Sequence, residues 1–200
     1  MNSVGRFLTS LAVALMAVSA ASAQTYDPAT TKVAIVPIIN DSADPWQDLK
    51  DRQRAEGAKY VLEAFTTRGF VMVNAEEVNK AIANLKIDFN DDEQRSRANL
   101  FKIGNECGAN LVIFVVIVES KQTTNNTIFT SRTNGYATVK LWLVDAGKQE
   151  AILNAVKLQG RSTGSGFVPG RGSERQVVAV RNTIDDILKG WFKPYPAKKG

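Results

Sequence analysis

The octet LVIFVVIV, residues Leu111–Val118, lies inside the run GANLVIFVVIVESKQTTNNTIFTSRTNGYATVKLWLVDAG, which covers Gly108–Gly147. Every residue of the octet is apolar, and most are β-branched. As a helix it would span about 12 Å, which is far short of the roughly 30 Å hydrocarbon core of a bilayer. A short apolar run of this kind is typical of a strand buried on both faces. The octet therefore predicts the central strand of a folded domain.

The residues after the octet predict two more strands in an antiparallel meander. In GYATVKLWLVDAG, residues 135–147, apolar residues alternate with more polar ones, which is typical of a strand with one better buried face. The buried set is predicted to be Ala137, Val139, Leu141 and Leu143. The turn DAGKQ then leads into QEAILNAVKLQGRS, which predicts a further strand.

Upstream of the octet, strands alternate with helices. KVAIVPIIN, residues 32–40, predicts a buried strand, and Pro37, which has no backbone N–H, places it toward a sheet edge or at a bulge. A helix is predicted from Asp44, with Gln47 completing a capping box. Its predicted inner face consists of Ala58, Val61, Leu62 and Phe65.

Three more helices are predicted from their first residues and their apolar stripes. One begins at Asn74, directly after the short strand FVMVN. The next ends at Gly108, and the last begins at Ser173 with Gln176 as its capping partner. The stripe of the third helix is Leu100, Ile103 and Cys107, and that of the last is Val177, Val180, Ile184, Ile187, Leu188 and Trp191. The resulting order, β-α-β-α-α-β-β-β-α, predicts an α/β (α+β) fold with a single mixed β-sheet and packed helices.

The first residues, MNSVGRFLTSLAVALMAVSAASAQ, have the layout of a secretory signal peptide, and cleavage is predicted between Ala23 and Gln24. The alternative is a transmembrane anchor, but the apolar run is well short of the about 20 residues that span a bilayer. No cysteine lies near the cleavage site, so we expect a periplasmic protein without a lipid anchor. The predicted divisions are a signal peptide over 1–23, one domain over 24–194 and a basic tail over 195–200.

The composition argues against most catalytic and metal-binding chemistry. The chain has no histidine, which removes the commonest general base and the commonest metal ligand together. Its one cysteine, Cys107, has no histidine to activate it and cannot form an intramolecular disulfide. The net charge of +5 is interleaved with acids, so nucleic acid is not an expected partner. We therefore expect no enzymatic activity, no metal and no cofactor.

Two segments are predicted to be surface loops. Lys121–Gly135 is long for a hairpin connection, and such loops are often binding elements or disordered. GRSTGSGFVPGRG, residues 160–172, precedes a helix start that could bind an anion, but Pro169 occupies the third-glycine position of a dinucleotide fingerprint. We interpret it as a flexible loop. The candidate interaction residues are Thr123, Asn125, Phe129, Arg132, Phe167, Arg171 and Arg175.

The order of these motifs resembles the curli production assembly/transport component (CsgG-like) family and the TolB N-terminal-like domains of the bacterial envelope. A penicillin-binding-protein activator belongs to the same fold group. The matching pieces are KVAIVPIIND, TRGFVMVNAEEVNKAI, IGNECGANLVIFVVIVE, VKLWLVDAGKQEAILNAVKLQG and QVVAVRNTIDDILKGW. Val144–Gly147 stands where the family places vDa.tG.v, without the usual threonine.

The chain departs from that family in two respects. The curli channel is a lipoprotein, whereas no lipid-bearing cysteine follows this signal peptide. The channel also builds a barrel from two hairpins, which by resemblance would fall near Lys121–Gly135 and Arg161–Gly172. The first segment has only Ile128 and Phe129 as bulky apolar side chains, and the second is rich in glycine and proline, so neither is expected to supply a hairpin. The resemblance thus implies the scaffold without the pore.

Together these features predict a non-enzymatic exported accessory protein that acts by protein–protein contact in cell-envelope assembly or secretion. The expected partners are envelope proteins, including outer-membrane or cell-wall machinery, or further copies of the chain. Two alternatives stay open. One is a regulator of cell-wall synthesis similar to the penicillin-binding-protein activator. The other is a periplasmic small-ligand or phosphate-binding protein or enzyme that uses residues 160–172.

Overall fold

The computed structural model describes residues 25–126, 131–165 and 172–198, which form an α+β fold with one mixed sheet. The strands are β1 (Lys32–Ile35), β2 (Ile39–Asn40), β3 (Val71–Met72), β4 (Leu111–Asn126), β5 (Ser131–Asp145) and β6 (Glu150–Ser165). The helices are α1 (Gln47–Thr66), α2 (Ala75–Asn84), α3 (Arg97–Glu106) and α4 (Gly172–Leu188), with a 3-10 turn at Asp92–Gln94. The strand order is β3-β1-β4-β5-β6, and β2 also pairs with β4.

The predicted order of elements and the single mixed sheet are confirmed. Strands β1, β2 and β3 join the sheet in parallel, whereas β4, β5 and β6 form the predicted antiparallel meander. The predicted first strand is interrupted at Pro37, which separates β1 from β2. β1 is not at an edge, because it lies between β3 and β4, but the end of the predicted strand after Pro37 is, because among the described strands β2 pairs only with β4. The missing N–H of Pro37 is accommodated by a break in the strand instead.

The octet is the centre of the molecule, as predicted. Every side chain from Leu111 to Ile117 is at most 2% exposed. The odd-numbered residues pack with α1 and α4, against Phe65 and Val180 among others. The even-numbered residues pack with α2 and α3 on the other face, against Leu100 among others. Because each buried Leu, Ile, Val or Phe contributes about 1.5–3 kcal/mol, this strand alone anchors both layers of helices.

The start of α1 differs from the prediction. The helix begins at Gln47, and its N-cap residue Trp46 makes no side-chain capping bond. Asp44 instead accepts a hydrogen bond from Trp46 N at 3.0 Å, and Gln47 donates to Asp51 rather than closing a capping box. Leu62, predicted to face inward, is 44% exposed. The buried face is Leu49, Gln53, Gly57, Val61, Ala64 and Phe65.

Most of the other helix signals agree with the structure, but the predicted capping role of Gln176 is wrong, because its side chain donates to Asp44 and Ser120 instead. The Asn74 side chain caps α2 by accepting from Glu76 N, and Gly108 ends α3 with a φ of +66°. Helix α4 begins within one residue of the predicted Ser173 and buries Val180, Ile184 and Leu188.

The C-terminal residues pack onto the α1 side of the sheet. Phe70 and Tyr195 make an edge-to-face contact, and Trp191 lies beside both rings. Tyr195 is 5% exposed although it opens the predicted basic tail, and Lys198 N donates to Thr67 O at 2.8 Å. The predicted signal peptide, including Ala23 and Gln24, lies outside the described residues, so the domain boundaries stay predictions. Among the described helices, none combines the length and apolar character that crossing a membrane requires.

Candidate functional site: the outer face of the β4–β6 arm

Strands β4, β5 and β6 continue well beyond the rest of the sheet. The last residue of β2, Asn40, pairs with Ile117, and past that point only β4, β5 and β6 remain paired. We call this three-stranded extension the arm; it comprises residues 119–126, 131–138 and 159–165. The predicted loop at Lys121–Gly135 is therefore wrong, because residues 121–126 pair with 131–136 as a hairpin. The expectation that this segment supplies no membrane-spanning hairpin is a separate one and stays a prediction.

One face of the arm is covered by α4, and glycines make that contact possible. A Cβ added at Gly135 would lie 2.2 Å from the backbone carbonyl carbon of Arg175. The corresponding distances are 2.2 Å from Gly160 to Thr183 Oγ1 and 2.1 Å from Gly164 to the Arg175 guanidinium. No side chain fits at such distances, so the glycines let the helix approach the sheet closely. The predicted flexible Gly-rich loop is thus wrong for residues 160–165, which belong to β6.

The opposite face of the arm carries no helix among the described residues. Trp142 packs in the α2–α3 cluster, and the two-residue alternation of a strand continues from it along β5. Direct cross-strand pairing then assigns the neighbouring side chains of β4 and β6 to the same face. We call this surface, together with Lys140 and Lys157 just before the arm on the same side of the sheet, the outer face. Its residues are Glu119, Lys121, Thr123, Asn125, Arg132, Asn134, Tyr136, Thr138, Lys140, Lys157, Gln159, Arg161 and Thr163.

The outer face is basic. Its cations are Lys121, Arg132, Lys140, Lys157 and Arg161, and the single acid among its described residues is Glu119. Lys121 Nζ donates to Glu119 Oε1 at 3.1 Å, and this bond, with support from Thr138, holds the pKa of the Glu119 carboxyl below its usual value. Glu119 is therefore ionised at neutral pH and already paired with Lys121.

The centre of the outer face contains two lysines directly opposite each other. Lys140 on β5 is the cross-strand partner of Lys157 on β6. Lys140 Nζ lies 4.9 Å from the centre of the Trp142 ring, a weak cation–π contact. Neither lysine lies within ion-pair distance of an acid within residues 25–126, 131–165 and 172–198, although the charge of Lys157 helps to lower the pKa of Glu119. Like charges in directly opposed positions destabilise a sheet, so this pair has an energetic cost that the fold does not require.

A depression of about 300 Å³ lies beside these lysines. Asp41 and Asp92 line it, but both carboxylates bind the Arg95 guanidinium, whose side chain is 8% exposed. Arg95 also donates to Phe89 O at 2.7 Å, which fixes its orientation. The acids of this depression are thus engaged, and its lysine side remains positively charged.

The predicted interaction residues separate into three groups. Thr123, Asn125 and Arg132 lie together on the outer face, where Asn125 and Arg132 are direct cross-strand partners. Arg175 lies on the opposite face, over Gly164. Phe129, Phe167 and Arg171 fall outside the described residues.

Sequence reasoning missed Lys140, Lys157 and Arg161. The signal that could have found the two lysines is their alternation with the buried residues Val139 and Leu141 on β5 and with the partly buried Val156 on β6.

Other chemically distinctive residues do not form a second site. Burial raises the pKa of the Cys107 thiol, which disfavours the reactive thiolate. Burial and a hydrogen bond to Asp185 raise the pKa of Tyr60 far above its ordinary value. Within the described ranges, no group of three or more cysteine or acidic residues is arranged to hold a metal ion.

The chain matches no family model and no curated protein. The solved structures similar to it include lipoprotein GNA1162 from Neisseria meningitidis, at 18% identity and a TM-score of 0.46, covering 78% of this chain and 99% of that one. Another is the C-terminal domain of LpoB from Escherichia coli, at 14% identity and a TM-score of 0.39, covering 74% and 90%. A third is the PelC dodecamer from Paraburkholderia phytofirmans, at 13% identity and a TM-score of 0.36, covering 80% and 92%.

At these sequence identities and TM-scores, the CsgG-like and TolB-like resemblance stays a prediction. Function is therefore inferred from this chain's own surfaces.

Proposed function

We propose that this chain is a non-catalytic, exported accessory protein that acts by binding an acidic protein surface through the outer face of its arm. The observation that carries the proposal is the opposed pair Lys140 and Lys157. A partner carboxylate between the two ammonium groups would convert their mutual repulsion into two attractions. The lysine pair, which destabilises the free protein, is thus explained by the stability that it gives to the complex.

The rest of the outer face supports the same reading. Arg161 extends the positive charge along β6, and Arg132 extends it toward the tip of the hairpin. Thr123, Asn125 and Gln159 supply exposed hydrogen-bonding groups between these charges. Electrostatic complementarity of this type raises association rates and makes binding sensitive to salt. A flat, polar, charged sheet face suits recognition of a folded partner better than enclosure of a substrate.

The predicted signal peptide supports a role outside the cytoplasm, where the partner would be an envelope protein engaged in assembly or secretion. Regulation of cell-wall synthesis, as in a penicillin-binding-protein activator, is one form that such a partnership could take. The small-ligand alternative depended on a loop over residues 160–172. Residues 160–165 are instead part of β6, where the Arg175 guanidinium packs directly over Gly164.

The proposal is tested by reversing charge on the outer face. In one variant Lys140, Lys157 and Arg161 are replaced by glutamate. In the matched control, Lys80, Lys102 and Lys189 on other surfaces are replaced by glutamate, which gives the same change in net charge. Each tagged protein is expressed in its native host, crosslinked in intact cells, purified and analysed by quantitative mass spectrometry.

We expect one or more envelope proteins to crosslink to the wild type and to the control variant, and to be depleted at least about tenfold in the outer-face variant. The purified complex should also weaken as salt rises from about 0.05 to 0.5 M. Equal recovery with both variants would refute the proposal, provided that circular dichroism shows both to be folded.

A further inference from the structure

A second surface lies where β4 leaves the parallel part of the sheet. Beyond Ile117, β2 no longer flanks β4, and the start of α1 stands beside the exposed edge of β4. The space between them is a cleft of about 720 Å³. Volumes of about 300–1,000 Å³ are typical of small-molecule sites. This cleft, which we call the Trp46 cleft, lies along the edge of β4; Glu119 and Lys121 of the outer face line it, whereas Lys140 and Lys157 do not.

Ser120 and Gln176, which line the Trp46 cleft and which we call its floor, belong to a network of hydrogen-bonded polar side chains that extends into the interior. Gln53, which is fully buried, donates to Ser120 Oγ at 2.6 Å and accepts from Asn40 Nδ2 at 2.7 Å. Gln176, 5% exposed, donates to the same Ser120 oxygen at 3.0 Å and to Asp44 at 3.3 Å. Burying amide groups is favourable only when they are bonded in this way, so the network holds the floor in one arrangement.

Trp46 forms one wall of the cleft and is 71% exposed. It is the most exposed large hydrophobic residue among those described. Its backbone N–H is fixed by Asp44, and its carbonyl accepts from Leu49 N at 3.1 Å, so the indole is presented from a defined position at the start of α1. A tryptophan contributes little to this fold when its ring is in water, whereas a ligand that covered it would bury a large apolar area.

The charges around the cleft nearly cancel. Asp44, Asp48 and Glu119 are balanced by Arg52 and Lys121, and Lys121 is already paired with Glu119. This balance does not favour a phosphate or any other strongly charged ligand. It does supply groups that both donate and accept hydrogen bonds, including the exposed amide of Gln122.

We propose that the Trp46 cleft binds a saccharide. A sugar ring has one apolar face of C–H groups, which can stack on an exposed indole, and a rim of hydroxyls that each donate and accept. The cleft offers both halves of that recognition: the Trp46 ring for the apolar face, and amide and carboxylate groups for the hydroxyls. This binding goes beyond the proposed protein contact and does not involve Lys140, Lys157 or Arg161, although the cleft shares Glu119 and Lys121 with the outer face.

The experiment uses the full chain with three neutral probes, which are cellotetraose, chitotetraose and maltotetraose, and with adenosine and tetraglycine as non-saccharide ligands. Binding is followed by titration calorimetry and by tryptophan emission. Trp142 is 4% exposed and Trp191 is partly buried, so a ligand in this cleft should change mainly the emission of Trp46. The variants are Trp46→Ala, Trp46→Phe, Gln122→Ala and, as a control on α2, Lys80→Ala.

We expect saturable binding of at least one saccharide, weakened at least about tenfold by Trp46→Ala and less by Trp46→Phe, which keeps an aromatic face. Gln122→Ala should also weaken it, whereas Lys80→Ala and the outer-face charge variant should bind as the wild type does. The proposal is overturned if no saccharide binds at up to about 10 mM. It is also overturned if Trp46→Ala leaves binding unchanged, or if adenosine or tetraglycine binds at least as tightly as every saccharide.

Discussion

At the scale of single residues, the glycines of the arm show why sequence reading failed at its Gly-rich segment. Glycine is unfavourable in a strand unless a close approach requires it, so residues 160–172 were interpreted as a loop. The close approach is made by α4, and no sequence motif indicates that this helix packs on these glycines. Nothing in the sequence pairs Gly135 with Arg175, because the contact joins elements far apart in the chain.

Alanine substitution at these glycines should be more costly where the neighbouring atoms are rigid backbone than where they belong to a flexible side chain. Gly135→Ala drives a methyl group into the backbone of α4 and should destabilise the fold by about 1–3 kcal/mol. Gly164→Ala should cost less, because the Arg175 guanidinium can move aside. Gly190, which has nothing within 4 Å of an added Cβ, is the neutral control. Urea unfolding measures all three, and equal losses at Gly135 and Gly190 would contradict the close packing of α4.

Cys107 should be a slow nucleophile. Burial raises its pKa, so the midpoint of its alkylation rate should lie at higher pH than that of a free thiol. A group whose pKa is raised in the folded state contributes stability that is fully present below its unfolded pKa. This contribution is lost as the pH rises from the unfolded pKa through the higher folded pKa. Iodoacetamide kinetics across pH measure the midpoint, with the urea-unfolded protein as the reference. A midpoint at or below that reference would contradict the stated cause.

At the scale of elements, the hairpin of the arm was missed because its strands lack the apolar alternation that predicts a strand. Its outer face is polar, and opposite that face the positions at Gly135 and Gly160 are filled by α4 rather than by their own side chains. The octet, by contrast, was predictable, because burial on both faces leaves a continuous apolar run. The Trp46 cleft could not be anticipated either, since it depends on where β2 ends relative to β4.

Lys157→Glu should stabilise the arm while it weakens partner binding. The substitution places opposite charges across β5 and β6, which should raise the free energy of unfolding by about 0.2–1 kcal/mol at low salt. The gain should shrink in about 0.5 M salt, because exposed charges are screened. Lys193→Glu, at an exposed position after α4, serves as the control. Destabilisation by Lys157→Glu in urea unfolding would show that the pair is not repulsive.

At the scale of the whole molecule, the sheet divides into a core covered on both faces and an arm covered on one. The order of elements, the mixed sheet and the central octet followed from periodicity and turn signals. The extent of the arm and the residues of its outer face could be assigned only from the register of strand pairing, which fixes the side of the sheet that each residue occupies. The candidate site is therefore mostly a product of topology rather than of motifs.

Hydrogen exchange should reflect this division. Backbone amides of Leu111–Ile117 should exchange most slowly, because both faces are buried, whereas those of residues 121–126 should exchange faster at the end of the arm. Mass spectrometry of pepsin fragments resolves the two segments of β4. Equal protection of both would mean that the arm opens only together with the core.

The irregularity in pairing between Ile117 and Glu119 decides what each side of the arm displays. One additional residue here puts Ile117 and Ser120 on the same side, so the Ser120 hydroxyl reaches Gln53 while Glu119 and Lys121 turn the other way. If the same sequence paired without this bulge, Glu119 would oppose Ala137 and the tip of β4 would be inverted, with lysine and glutamate facing the helices and serine and glutamine facing outward. A single residue in excess on β4 thus sets the composition of both recognition surfaces at once.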